Sequence, residues 1–164
     1  MRTAEYWINN LNLLPHPEGG YYKESYRSEE EIIGSELPSR FGGNRAISTA
    51  IYFLLIKGNF SAFHKIKSDE IWHFYDGDPI AIHVINNMGD LSTKILGLQV
   101  DDGQLPQITI PANTWFASKS TGDFSLAGCT VAPGFDFADF EMADREVLIN
   151  LYQRHQELIK EFTR

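Results

Sequence analysis

GNFSAFHKIKSDEIWHFYDG, residues 58–77, is the stretch on which the fold turns. It reads as two strands joined at Lys67, Ser68 and Asp69. Side chains alternate across a strand, so Phe60, Ala62, His64 and Ile66 share one face. On the second strand Glu70, Trp72 and Phe74 share a face, opposite Ile71, His73 and Tyr75. If His64 and Glu70 both turn inward, an imidazole and a carboxyl meet in an aromatic and aliphatic interior. That arrangement is costly unless the two are paired, hydrated or kept for a ligand.

Outward from this segment the strand pattern continues. Runs rich in Ile, Val, Thr, Phe and Tyr occupy 21–27, 46–56, 60–66, 70–75, 80–86, 91–99, 107–110, 114–118 and 124–132. Clusters of Gly, Asn and Asp punctuate them, as at Lys57-Gly58-Asn59, Asp102-Gly103 and Gly122-Asp123. Short strands at roughly ten-residue spacing predict an all-β sandwich or barrel. Gly97, inside a run, predicts a bulge. Both ends read as helix. Trp7, Leu11 and Leu14 form a stripe behind a Thr3 cap, stopped by Pro15. Val147, Leu148, Leu151, Tyr152, Leu158, Ile159 and Phe162 form another behind Asp144. Residues 28–44 carry the least pattern and read as a surface connection.

The 164 residues make one domain's length, and an apolar fraction of 43% supplies its core. The expectation is a single domain over 1–164, with a helix over about 3–14, a barrel over about 20–135 and a helix over about 144–162. The 14 basic and 22 acidic residues give a net charge of -8. Such a surface repels phosphate backbones and anionic lipids, so neither nucleic acid nor a membrane is an expected partner. Cys129 stands alone, which leaves no internal disulfide. The segment MRTAEYWINN lacks the apolar stretch of a signal peptide. The longest apolar run, 50–56, is seven residues, against about 20 for a membrane span. The expected location is the cytoplasm.

The central stretch also resembles a known family. Gly58, five residues, His64, Lys65, Ile66, three residues, Glu70, six residues, Gly77 matches the spacing of the first motif of the cupin superfamily. The departure is Ile66, where that motif has its second His. Pro111-Ala112-Asn113-Thr114-Trp115-Phe116 resembles the second motif, Pro-x-Gly-x-x-His, with Asn113 for the Gly and Phe116 for the His. PHPEGGYY at 15–22, SDEIWHF at 68–74 and VAPGFDF at 131–137 are similar to a little-characterised branch of small cupins. The resemblance implies an all-β cupin double-stranded β-helix (a jelly-roll barrel) with an α-helix at each end, and a homodimer. It implies no single reaction.

Metal-holding cupins use three His and one Glu, and only His64 and Glu70 stand on matching positions. Two ligands are too few for a tight transition-metal site, so no resident metal is expected. Counting in steps of two from Gly77 turns His83 inward. His64, Glu70 and His83 would then form a two-His, one-carboxylate set, and a divalent metal there with oxygenase-like chemistry is one alternative. The plainer reading of His83 is a core or interface histidine.

The first expectation for function is a small polar molecule, such as a sugar derivative, bound in the barrel and worked on by a metal-independent epimerase or isomerase. His64 is the base candidate, and Glu70 orients it or acts as the acid. Trp72 and Phe116 give a stacking wall, His83 lines the site, and Tyr22 and Glu24 stand at its rim. A non-catalytic binding or sensor protein is the rival reading of the same residues. PHPEGGYY otherwise reads as a rigid corner, with Tyr22, Glu24 and Tyr26 on one face of the next strand and Arg27 on the other. VAPGFDF reads as a stiff strand exit, and Cys129 as a small buried hydrophobe. The edge at 21–27 is the candidate for pairing with a second copy.

Overall fold

The computed structural model describes residues 2–164. Its strands are β1 (Leu14–Pro15), β2 (Tyr21–Arg27), β3 (Glu31–Ile32), β4 (Arg45–Ala46), β5 (Thr49–Ile56), β6 (Ser61–Lys65), β7 (Asp69–Gly77), β8 (Ile80–Ile85), β9 (Leu91–Leu96), β10 (Gln107–Ile110), β11 (Trp115–Ser120), β12 (Phe124–Ala132) and β13 (Glu141–Met142). The helices are α1 (Ala4–Leu11), α2 (Arg145–Leu151) and α3 (Gln156–Glu161). A six-stranded sheet runs β1-β2-β5-β12-β7-β10, and a five-stranded sheet runs β13-β6-β11-β8-β9. Every strand pair within them is antiparallel. β3 and β4 form a separate ribbon. The fold is the all-β jelly roll the sequence predicts.

Layering explains the apolar pattern. Between the sheets lie Phe53, Leu55, Trp72, Ile80, Ile82, Val84, Leu96, Ile108, Ile110 and Phe116. Outside the six-stranded sheet, Leu54 and Leu126 pack under Trp7, Ile8 and Leu11 of α1. Outside the five-stranded sheet, Phe63, Ile85 and Trp115 pack under Leu148, Ile159 and Phe162. Strands such as β5, TAIYFLLI, are apolar on both faces because both faces are covered.

The helices are shorter than the stripes suggest. Thr3 Oγ1 accepts from the Tyr6 N–H as expected, but Asn12 turns left-handed at φ 53° and ends α1. Leu14 and Pro15 then pair with β2. Asp144 caps α2, yet the C-terminal stripe breaks at a 3₁₀ turn over Gln153–His155. There the Arg154 and His155 side chains both bond the Gly89 carbonyl. Gly97 is no bulge. It follows the end of β9, where its N–H bonds the Leu105 carbonyl.

Two irregularities shift the alternation. In β2 the register slips between Glu24 and Tyr26, so Tyr22, Glu24 and Arg27 turn inward and Tyr26 outward. This reverses the expected faces of Tyr26 and Arg27. In β7 the register slips opposite Leu126 and Ala127, and Gly77 turns left-handed at φ 88° against the Phe124 carbonyl, where a Cβ would overlap. After that corner Ile80, Ile82 and Val84 face the inner core. His83 therefore faces outward.

Candidate functional site

A cavity of about 500 Å³ opens between the sheets. β2, β5, β6, β7 and β12 each supply part of its wall, and two non-strand segments close it. The first is the corner at 15–20. His16 and Gly20 pair through the backbone, and the Glu18 carbonyl accepts from the Ala62 N–H of β6. Gly19, at φ 113°, lies so close to the Phe60 carbonyl that a Cβ would overlap it. Arg164 donates to the carbonyls of Glu18 and Phe60. So the prolines and glycines of PHPEGG do build a rigid corner. That corner drives Glu18 into the barrel, where the residue is 5% exposed.

Glu18 is the hub of the cavity floor. Its Oε1 accepts from Ser61 Oγ at 2.7 Å. Its Oε2 lies 3.1 Å from His64 Nε2 and 3.5 Å from His16 Nδ1. His64 Nδ1 is 2.7 Å from the Ala62 carbonyl and so carries a hydrogen. Its Nε2 then meets Glu18 either as a cation or as the acceptor of a carboxyl proton. In both cases one proton lies between Glu18 and His64. His16 Nδ1 accepts from the Glu18 backbone N–H at 3.3 Å, which leaves the hydrogen on Nε2.

Glu70 lines the same cavity from β7. Burial pushes its carboxyl up to about 7, against the pull of His64 and with the help of the Glu18 charge. Burial likewise pushes Glu18 up to about 6, opposed by His16, Ser61 and Arg164. Burial lowers both imidazoles. For His64 it outweighs the attraction of Glu70, and for His16 that of Glu18. The Cys129 thiol is raised by burial and by Glu70 beside it. Trp72 is 1% exposed and lines the cavity with its ring, while its Nε1–H is closed off from the open volume and turned to the Glu70 carboxyl. The floor therefore holds groups that exchange protons near neutral pH.

The rim is aromatic and charged. Arg27 binds Glu24 with two hydrogen bonds, at 3.1 and 2.7 Å, and donates a third to the Phe135 carbonyl at 3.1 Å. The rings of Phe135, Phe137 and Phe140 lie 5.0 to 6.3 Å apart and form one wall. Asp139 fixes the segment that carries them, through two hydrogen bonds from Arg45 at 2.6 Å and an ion pair with Lys67 at 3.3 Å.

With this geometry in view, comparison with known proteins is informative. The family pattern of the cupin superfamily (DUF985) matches residues 5–143. The chain belongs to this family. A hypothetical protein from Leishmania major has the same fold at a TM-score of 0.90, with 36% identity and 99% of each chain covered. Protein SO0799 from Shewanella oneidensis gives 0.91 and 39%, over 100% of this chain and 99% of that one. The uncharacterized protein YML079W of Saccharomyces cerevisiae is 29% identical over 143 residues, which are 80% of this chain and 71% of that protein. Oxalate decarboxylase from Bacillus subtilis shares the fold alone, with a TM-score of 0.56 and 13% identity over 90% of this chain and 36% of that one.

In this cupin, His64, Glu70, Trp72, Tyr22 and Glu24 all line the cavity. Two candidates do not. Phe116 pairs with His64 across β6 and β11 and is fully buried behind it, ring centroids 4.1 Å apart. His83 lies on the far face of the five-stranded sheet, with Nδ1 2.9 Å from Thr93 Oγ1 and its ring 4.9 Å from that of Phe162. The partner of His64 also differs. No ion pair or hydrogen bond joins it to Glu70, and Glu18 takes that place. His16 and Glu18 stood in plain view at 15–22. Their signal was a pair of titratable residues inside a corner too rigid to let them swing away.

The residues that hold the metal in other cupins do not fit one here. Ile66 and Phe116 offer no lone pair, and His83 is on the wrong face. Among the described residues no group of three His, Cys, Asp or Glu side chains has the geometry of a metal site. Among them, too, no helix is long and apolar enough to cross a membrane.

Proposed function

We propose that this cupin binds a small polar molecule, such as a sugar derivative, inside the barrel and moves a proton on it, as an epimerase or isomerase does. The observation that carries this reading is the Glu18–His64 pair and the separate Glu70 carboxyl on one open cavity. A carbon acid held between them could lose a proton to one group and regain it from the other. Both carboxyls are displaced toward neutral pH, where such exchange is fastest. The wall of Phe135, Phe137 and Phe140 takes the apolar face of the bound molecule. The reading takes 1–164 as one cupin domain, working in the cytoplasm as a homodimer. Among the described residues the edge of β2 beyond Tyr22 has no strand beside it and suits pairing with a second copy.

The test is a small-molecule screen by thermal shift. A ligand at 100 times its dissociation constant adds about 2.7 kcal/mol. Each hit is then incubated with the protein in D₂O. Deuterium entering a C–H position of the hit, abolished in Glu70→Gln, supports proton transfer. Binding with no exchange leaves a non-catalytic binding protein. Light scattering that gives only the 18.6 kDa species would remove the homodimer.

A further inference from the structure

The charges around the cavity are one-sided. Its lining holds four carboxyl side chains, Glu18, Glu24, Glu70 and Asp136, and one permanent cation, Arg27. Arg27 is already committed to Glu24 and to the Phe135 carbonyl. On the floor, Glu18 and Glu70 are 5% and 7% exposed, and neither forms an ion pair with a lysine or arginine. The groups that face them are His16, His64, Ser61, Cys129 and Trp72, with Arg164 behind Glu18 bonding only its backbone carbonyl. Burying carboxylates without a counter-charge is expensive, and the protein lowers that cost by keeping protons on them. An anionic ligand would meet four carboxyl groups and no free cation. A neutral one would leave the carboxyls protonated and draw nothing from their charge.

We propose that the ligand of this cavity carries a positive charge, a protonated amine or a quaternary ammonium group, set between the Phe135, Phe137 and Phe140 wall and the Glu18 and Glu70 carboxyls. The proposal rests on the barrel-binding reading and narrows it. Aromatic faces and carboxylates are the two surfaces that recognise organic cations, and the cavity presents both. The net charge of -8 gives the protein a field that draws cations toward it.

Proton linkage separates this idea from its rivals. A cation beside Glu70 favours the charged carboxylate, so binding must expel the proton that burial retains. Glu70 is held at about 7 and Glu18 at about 6, so cation affinity rises as pH rises from 5 to 8. A primary amine stays protonated throughout that range, since its own pKa is about 10. The experiment is titration calorimetry of the whole chain with choline, butylamine, the neutral choline isostere 3,3-dimethylbutanol and the anion 3,3-dimethylbutyrate. Runs at pH 6.5 in buffers of different ionisation heat count the protons. The expected result is binding of both cations, about tenfold or more above the isostere, with up to one proton released. Glu70→Gln should cut choline affinity by about tenfold and remove most of the proton release, with isostere binding unchanged. Should that variant not fold, Glu24→Gln at the rim should weaken choline with little change in proton release. Isostere or anion binding as tight as choline would overturn the cation and leave the barrel reading standing. Failure of both cations at millimolar concentration, or binding without proton release, would overturn it as well. The D₂O experiment tests proton transfer independently of these outcomes.

Discussion

The two ends of the space between the sheets are built differently. One end is filled by Ile80, Ile82, Leu96 and Ile108, all at most 3% exposed, with no titratable group among them. The other holds Glu18, Glu70, His16 and His64 around open volume. The same strands serve both. β7 brings Trp72 against Phe53 where the core meets the cavity, and Glu70 onto the cavity floor one step along the inner face. The filled end supplies the stability that lets the open end hold poorly compensated charge. Stability and function should therefore separate along the barrel axis.

Ile82→Ala at the filled end gives the largest expected effect. It should cost about 2–5 kcal/mol in urea unfolding, while ligand affinity of the folded protein stays unchanged. A loss of affinity with little loss of stability would break the comparison. Glu70→Gln at the open end should act in the opposite direction. The folded Glu70 carboxyl, raised to about 7, binds its proton more tightly than the unfolded one, at about 4.5. Its contribution is intact below pH 4.5 and is lost as pH rises through 7. The variant should therefore exceed the wild type in stability by about 3 kcal/mol at pH 8 and match it near pH 4. His16 and His64 are lowered by burial, so they cost stability as pH falls through the ordinary histidine range, and His64 costs more in the variant, which lacks the attraction of Glu70. A variant less stable at pH 8 would mean that Glu70 is a structural partner.

The smallest effect belongs to His83, outside both ends. Its Nδ1 meets Thr93 and its Nε2 has no partner. His83→Gln should change stability by about 1 kcal/mol and leave ligand binding untouched. Lost binding would put that face of the sheet back into the site.

Local alternation carried the sequence reading as far as the chain kept its period. His64, Glu70 and Trp72 lie within two regular strands, and the spacing placed them on the inner face. A bulge at Tyr75 and a left-handed turn at Gly77 reset the count, which puts His83 on the outer face. The slip after Glu24 did the same to Arg27. Glu18 lies beyond any periodic argument. It reaches His64 from 46 positions away through a corner whose conformation is set by Pro17, Gly19 and Gly20. The Phe135, Phe137 and Phe140 wall was hidden for a related reason, because Asp139 pins that segment through Arg45 and Lys67, which are distant in sequence.

The central claim is that the barrel floor holds two carboxyls whose protons exchange near neutral pH. Carbon-13 NMR of side-chain carboxyls in glutamate-labelled protein, titrated from pH 4 to 9, tests it most directly, with Glu18→Gln and Glu70→Gln assigning the signals. Two glutamates should titrate far above the rest, near 6 and near 7, and each should vanish in its own variant. If every glutamate instead titrates near 4.5, the floor holds ordinary ionised carboxylates, and both the acid–base reading and the proton-linked cation fall together.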